Sequence, residues 1–225
     1  MLGADVCSKG WVGVATGPDV TQAYFGRTIG DLVAAAEADG KIDVVAIDIP
    51  IGLPDNSIRR SDELARLAVG QRWQSVFMTP VREALLADDH VTAILINRRL
   101  AGEGVSRQAY GLRTKIFEID TWIKDRSHTV IEAHPELCFA TMAGSPLRTR
   151  KKTWAGARQR RQLLDATGIR LPDELGLAGE MAAVDDVLDA AAAAWTARRF
   201  AIGQAKAMPA DPEMFSDGIQ CAIWA

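Results

Sequence analysis

A short apolar run does most to limit the folds open to this chain. Residues 43–48 read Asp-Val-Val-Ala-Ile-Asp, so four consecutive apolar side chains stand between two acids. A strand that is apolar on both faces must be covered on both faces, which is typical of a parallel or mixed sheet flanked by helices. The run therefore predicts an α/β fold in which this strand ends at Asp48.

The segments before this run predict three short strands and one helix. The strand segments are rich in apolar residues and are separated by turns at Ser8-Lys9-Gly10 and Gly17-Pro18-Asp19. They cover residues 1–6, 10–15 and 20–25. Apolar spacing over 29–38 predicts a helix with Thr28 as its N-cap and Gly40 at its end. The order is that of an antiparallel meander followed by a right-handed strand-helix-strand crossover.

The remainder of the chain predicts mainly helices and one further strand. Residues 49–127 are mostly helical in pattern, and we expect them to include an insertion at about 55–127. A strand over 129–134 follows, then a helix near 157–166 and a long final helix over 184–200. These elements predict five strands in total.

Composition favours a soluble cytoplasmic protein. No apolar stretch approaches the ~20 residues that span a bilayer, and the first residues show no signal-peptide pattern. The cysteines are Cys7, Cys138 and Cys221; their odd number and wide spacing indicate a reducing compartment and argue against structural zinc. We therefore expect no membrane partner.

Charge is unevenly distributed along the chain. The net charge of −3 argues against a protein that coats nucleic acid through bulk positive charge. Residues 148–161 nevertheless contain seven bases and no acid, while residues 173–189 contain six acids and no base. The two runs suggest an acidic site beside a basic flank, although each run alone is also typical of a solvated surface.

Several carboxylates occupy positions where a charge is costly. Asp5 lies on the first strand, and Asp48 ends an apolar strand, where a charge requires a partner or a metal. Glu132 lies on the fifth strand, and further acids begin the last helix within one turn of each other. These are Asp185, Asp186 and Asp189. Clustered carboxylate oxygens are ligands for Mg²⁺ or Mn²⁺ rather than for zinc.

These residues belong to motifs that resemble a family of domains of unknown function numbered 429. The matching motifs are Gly3-Ala-Asp5, Lys9-Gly10-Trp11-Val12, Ala46-Ile47-Asp48-Ile-Pro50-Ile-Gly52-Leu-Pro54, Gly70-Gln-Arg72, Ser75-Val-Phe77, Ser106, Gln108-Ala109, Lys115-Ile116, Glu118-Ile-Asp120, Glu132-Ala-His134-Pro135-Glu136 and Asp185-Asp186 with Asp189-Ala. The resemblance covers nearly the whole chain. It implies a single RNase H-like domain over residues 1–225, with a five-stranded mixed sheet, three antiparallel strands first, and helices on both sides.

The resemblance also implies a function, because the family is described as predicted RNase H-like nucleases. It makes Asp5 and Asp48 catalytic metal ligands, together with Asp186 or Asp189 on the last helix. Two Mg²⁺ or Mn²⁺ ions would then support phosphodiester hydrolysis. The second-tier candidates are Glu132, Asp185 and His134.

Basic residues supply candidates for substrate binding. They are Lys9, Arg72, Lys115 and Lys152. The arginines and amides of the insertion are consistent either with a lid that grips phosphates or with internal ion pairs. The substrate is expected to be a nucleic acid or a small phosphate ester. Two alternatives remain open: a nucleotide- or small-molecule-binding protein of the same fold, for which no phosphate loop is visible, and a non-catalytic protein-interaction module.

Overall fold

One sheet of seven strands organises the molecule. A computed structural model describes residues 1–17, 20–125 and 128–225, so the predicted turn at Gly17-Pro18-Asp19 lies partly outside the described residues. The strands are β1 (Leu2–Cys7), β2 (Gly10–Thr16), β3 (Thr21–Gly26), β4 (Val44–Ile47), β5 (Thr129–Ala133), β6 (Ala207–Met214) and β7 (Gln220–Trp224). Their order across the sheet is β3-β2-β1-β4-β5-β7-β6. Strands β1, β4, β5 and β7 are parallel neighbours, whereas β2, β3 and β6 run antiparallel to the strands they join.

Helices cover both faces of this sheet. They are α1 (Ile29–Glu37), α2 (Arg60–Ala68), α3 (Arg82–Leu85), α4 (His90–Ala101), α5 (Arg107–Gly111), α6 (Arg113–Trp122), α7 (Pro135–Ala143), α8 (Trp154–Ala166), α9 (Leu177–Met181) and α10 (Val184–Ala201), with 3₁₀ turns at Gly70–Ser75 and Ile123–Asp125. The predicted α/β class and mixed sheet are confirmed. Within the described ranges, no helix is long and apolar enough to cross a membrane.

The prediction of a five-stranded sheet is wrong, because two strands follow the last helix. Strand β6 contains Pro209 and Pro212, which removes two backbone donors and gives the segment the appearance of a loop. As the edge strand, β6 tolerates these prolines, and its register shifts between Met208 and Glu213. Strand β7 has only five residues, and it is recognisable only through its distant pairing with β5.

Each face of the sheet has its own apolar core. Val12, Val14, Val44 and Ala46 pack with α7, α8 and α10 on one face. Leu2, Trp11, Val45 and Ile47 pack with α1 and α6 on the other. Because side chains alternate along a strand, position parity decides which core a residue joins. This alternation also decides where the acids point.

Helix α10 approaches the sheet unusually closely. Five consecutive alanines, Ala190 to Ala194, are fully buried against the central strands. A β-carbon placed on Gly3 would lie 2.0 Å from the backbone nitrogen of Ala194 and 2.1 Å from the carbonyl oxygen of Ala190. The helix backbone therefore rests directly on β1, two residues before Asp5.

Ion pairs tie the segment between β4 and β5 to the rest of the molecule. The Arg82 guanidinium contacts Asp120 at 2.8 Å and Asp217 at 3.0 Å, which joins α3 to α6 and to the β6–β7 connection. Lys115 pairs with Glu118 at 2.8 Å. These contacts favour internal ion pairing for much of the polar set of this segment, as opposed to a phosphate-gripping lid.

Candidate metal centre

Three carboxylates from three separate elements meet at one end of the parallel strands. Asp5 lies near the end of β1, Asp48 directly follows β4, and Asp189 lies in the second turn of α10. One oxygen from each of the three lies within 4.8 Å of the other two. The Asp48 amide donates to the carbonyl of Ala4 at 3.0 Å, so the main chain sets the neighbouring positions of the first two acids.

Strand alternation explains why these acids converge. Asp5 is two residues beyond Gly3, and Asp48 is two beyond Ala46, so both acids follow the face covered by α10. Asp189 immediately precedes the alanines that bring this helix onto β1. The close approach of helix and strand therefore delivers the third carboxylate to the first two.

A lysine partly balances the negative charge of this cluster. The Lys151 ammonium lies 2.5 Å from Asp189 and 3.8 Å from Asp185, and Lys152 lies 3.9 Å from Asp185. Three buried or partly buried carboxylates face this one close ammonium, which leaves the cluster net negative when all three are ionised. A divalent cation would balance this remaining negative charge.

Burial makes every acid of the cluster harder to ionise. It raises the pKa of Asp5 well above the ordinary value, and the charges of Asp48 and Asp189 raise it further. Burial also raises the pKa of Asp48, against the opposing effect of His134 and Lys151. The pKa of Asp189 rises to about 7 because burial outweighs the ion pair with Lys151. At a pH between the unfolded value of about 4 and the raised folded values, these carboxyl groups are therefore protonated in the folded chain and ionised in the unfolded chain.

Thermal stability without divalent ions should therefore decrease between pH 5 and pH 8. A carboxyl with a raised folded-state pKa stabilises the protein fully below its unfolded value of about 4. It loses that contribution as the pH rises through the folded value, about 7 for Asp189. Melting temperatures measured in chelator should fall across this range, and less steeply in Asp189→Asn. Exposed Asp211→Asn is the control; identical slopes in both variants would contradict the prediction.

A cleft of about 650 Å³ opens above the carboxylates. Its walls come from the sheet end, from the 3₁₀ turn at Gly70–Ser75 and from the loop before α8. Arg72, Arg150 and Lys152 line it beside Asp5 and Asp189. The guanidinium of Arg72 also donates to the carbonyls of Leu147 and Arg148, which links two of the walls. The cleft thus combines an acidic floor with a basic rim.

The structure separates the other candidate acids from the cluster. Asp186 lines the cleft half-buried and accepts a hydrogen bond from the Ala183 amide at 3.4 Å. Asp185 faces Lys151 and Lys152 instead. Glu132 also lines the cleft, but it lies on the opposite face of the sheet from Asp48. Its Oε2 atom accepts hydrogen bonds from the Arg59 guanidinium at 2.6 Å and from the Ile51 amide at 2.7 Å.

The remaining candidates divide between the cleft and the outside. His134 lines the cleft; its Nε2 atom lies 3.3 Å from the Ser75 carbonyl, and its buried Nδ1 atom has no partner among the described residues. Lys9 is exposed beside Met181, and Lys115 lies over Trp11 paired with Glu118. Neither of these lysines lines the cleft.

Sequence does not select Lys151 or Glu136 as residues that adjoin the carboxylate cluster. Lys151 contacts the cluster directly, but nothing in the basic run distinguishes it from its neighbours. Glu136 lines the cleft at the start of α7, with one oxygen 2.6 Å from the fully buried Arg160. Its buried Oε2 atom has no partner in the described part of the chain. The His-Pro-Glu sequence, with proline opening a helix, is the signal that places Glu136 beside His134.

A comparison with protein-family models identifies the family. A model described as a protein of unknown function (DUF429) matches residues 3–214. The chain belongs to the DUF429 family. Among the curated proteins and the solved structures, the searches find no match to this DUF429 chain.

The donor set of this DUF429 chain fits a hard divalent cation. All three converging atoms are carboxylate oxygens, as Mg²⁺ and Mn²⁺ prefer, and no cysteine or histidine joins the described cluster. Asp186 and Glu136 add two more carboxylates to the same cleft. The residues present are therefore compatible with a metal centre.

Proposed function

We propose that this protein is a metal-dependent phosphodiester hydrolase of the RNase H-like nuclease type. The observation that carries the proposal is the convergence of Asp5, Asp48 and Asp189 within 4.8 Å at the floor of a cleft with a basic rim. The three acids come from the first strand, the end of the fourth strand and the long helix, which is the arrangement that the resemblance implies.

The sheet order supports the same proposal. The first five strands lie in the order β3-β2-β1-β4-β5, with β1 to β3 antiparallel and β1, β4 and β5 parallel. An RNase H-like sheet implies three antiparallel strands followed by a crossover to parallel strands. In this proposal β6 and β7 extend the sheet beyond β5, on the side away from the antiparallel meander.

Asp5, Asp48 and Asp189 would hold Mg²⁺ or Mn²⁺, and Asp186 and Glu136 offer carboxylates to a second ion. Bound divalent ions would lower the pKa of the attacking water and stabilise charge on the leaving oxygen. The chain's own residues supply the other requirements. Arg72, Arg150 and Lys152 attract a phosphate to the rim, and guanidinium groups suit phosphate oxygens particularly well.

His134 and Lys151 provide further polar groups at the reacting position. His134 lines the cleft with its ring held by the contact of Nε2 with the Ser75 carbonyl, and in the described part of the chain its Nδ1 atom has no partner, so this proposal makes the ring a candidate proton acceptor. Lys151 keeps its positive charge, since the attraction of Asp189 raises its pKa despite burial. No side chain needs to act as a covalent nucleophile.

A hydrolysis assay tests the proposal directly. Chelator-stripped protein is incubated with Mn²⁺ or Mg²⁺ and either labelled oligonucleotides or a chromogenic phosphodiester. We expect hydrolysis only with added metal, and loss to background in Asp189→Asn, because removal of a ligand charge weakens the ion's hold. Asp211→Asn is the matched control. Nucleotide binding without hydrolysis by the metal-loaded wild type would instead favour a binding protein, and absence of metal binding would favour an interaction module.

A further inference from the structure

An exposed tryptophan stands beside the basic rim of the cleft. The side chain of Trp154 is 85% exposed, the largest value among the large hydrophobic residues that the structure describes. It begins α8, where the Thr153 hydroxyl accepts a hydrogen bond from the Gly156 amide at 3.1 Å. The Thr153 amide and hydroxyl also both donate to the Arg150 carbonyl. The indole is thus presented to solvent from a fixed turn.

Trp154 forms one wall of a second, largely apolar groove. This groove measures about 430 Å³, within the usual range for small-ligand sites. Its other walls come from the α8 surface, the segment before α9 and the first turns of α10. The apolar lining residues include Leu171, Leu175, Val184, Val187 and Leu188. A flat aromatic ring fits such a groove, because it can stack on the indole that forms one side.

The groove and the carboxylate cleft share a boundary. On α10, Val184, Val187 and Leu188 follow one helical face toward the groove, while Asp186 and Asp189 line the cleft. The chain around the start of α8 shows the same division, because Lys151 in the preceding loop lines the cleft and Trp154, the first residue of α8, lines the groove. The three residues from Lys151 to Trp154 span at most about 11 Å, so an extended bound ligand in contact with one cavity reaches the other.

The surface around this boundary is positively charged. Arg148, Arg150, Lys152 and Arg158 are exposed, and no acid occurs from 148 to 164. Arg150 and Arg158 have no ion-pair partner among the described residues. Acids also border this surface: Asp185 lies 3.9 Å from Lys152, Asp173 pairs with Arg161, and Asp165 lies in the groove wall. Unpaired guanidinium groups can contact the anionic groups of a polyanion, and the exposed indole beside them can stack on its aromatic rings.

We propose that the groove binds an unpaired base of a single-stranded nucleic acid, stacked on Trp154, while Arg150, Lys152 and Arg158 contact its phosphates. A base within a duplex does not present its face to an indole, whereas a single strand does. The same strand then continues across Lys152 to the carboxylates. This inference rests on the proposed hydrolase for its purpose, and it is tested through binding alone.

Fluorescence anisotropy of a labelled single-stranded oligonucleotide, with Ca²⁺ in place of Mg²⁺, measures this binding. We expect Trp154→Ala to weaken it between about 5-fold and about 150-fold, the usual range for loss of one base–aromatic stack. Trp154→Phe should retain most of the affinity. Trp73→Ala is the matched control, because Trp73 is half exposed but lies against Arg66 and lines neither cavity. A duplex of the same sequence should bind more weakly and be indifferent to Trp154→Ala.

Salt dependence gives a second readout. The double variant Arg150→Gln/Arg158→Gln should reduce the slope of log affinity against log salt by about 0.7 for each phosphate that the variant no longer neutralises. Wild-type affinity in Trp154→Ala, or equal losses for duplex and single strand, would overturn the inference. The inference would also be overturned if the wild type were a dimer that dissociates in Trp154→Ala, since a second copy of the chain would then cover the groove.

Manganese titration separates the two proposals. Trp154→Ala should bind Mn²⁺ as the wild type does, and Asp189→Asn should still bind the oligonucleotide through the groove. If Trp154→Ala leaves strand binding intact while Asp189→Asn abolishes hydrolysis, the groove assignment fails and the hydrolase stands. If Trp154→Ala abolishes strand binding while no metal binds, the groove assignment stands and the hydrolase fails.

Discussion

Asp48→Asn should abolish saturable Mn²⁺ binding while the protein remains folded. The substitution replaces a carboxylate oxygen of the converging set by an amide of nearly the same shape. It also removes a charge that burial already disfavours, as the raised pKa of Asp48 indicates. Calorimetric titration of chelator-stripped protein should show one or more saturable sites in the wild type and none in the variant. Its melting temperature at pH 7.5 should be equal to the wild type's or higher.

The exposed acid Asp88 provides the control for this experiment. Asp88→Asn changes the net charge equally but lies in the segment between β4 and β5, away from the cleft. It should bind Mn²⁺ with wild-type affinity. Unchanged binding in Asp48→Asn, or an unfolded variant by circular dichroism, would count against the metal centre, since an isosteric change that relieves repulsion should not unfold the chain.

Arg59→Met should cost about 3–5 kcal/mol of unfolding free energy, the usual loss when one partner of a buried ion pair is removed. Arg59 is fully buried; its guanidinium lies 2.6 Å from Glu132 and 3.6 Å from Asp62, and it also donates to Ser61 and Thr79. Without it, two buried carboxylates lose their counter-charge. Urea unfolding monitored by tryptophan fluorescence should report the loss, and exposed Arg60→Met is the matched control.

The pH dependence of this loss distinguishes charge from packing. The pKa of Glu132 is already about 7 because burial outweighs the attraction of Arg59, and removal of Arg59 should raise it further. Well below pH 7 both proteins hold the Glu132 proton, whereas above about pH 7 the wild-type carboxyl ionises beside Arg59 and the variant's does not, so the destabilisation should grow as the pH rises above about 7. The double variant Arg59→Met/Glu132→Gln should recover part of the stability. Additive losses, independent of pH, would indicate a packing effect alone.

Sequence predicts the strand acids well because their context is local. Asp48 directly follows the apolar strand β4, and Asp5 lies within β1 between apolar neighbours, so both are recognisable without tertiary information. Glu132 shows the limit of this reasoning. A shift of one position along β5 places it on the opposite sheet face, where it meets Arg59 instead of the cluster.

The helix acid and the last strands depend on long-range packing. Asp185, Asp186 and Asp189 are equivalent by sequence, and only the rotation of α10 on the sheet selects Asp189. Prolines hide β6, and β7 is defined by its pairing with a distant strand. The contact between Lys151 and Asp189 likewise joins segments whose proximity only the fold creates.

The contact of α10 with Gly3 fixes the distance between the acids that these two elements carry. Leucine or isoleucine at a helix–strand interface has rotamers that allow the two elements to shift and repack. Here the spacing is fixed by main-chain atoms and methyl groups, which have no rotamers to change. The distance between Asp5 and Asp189 is therefore set by contact between main-chain atoms of β1 and α10. Any change in the packing of this core changes the distance between the two acids by a similar amount.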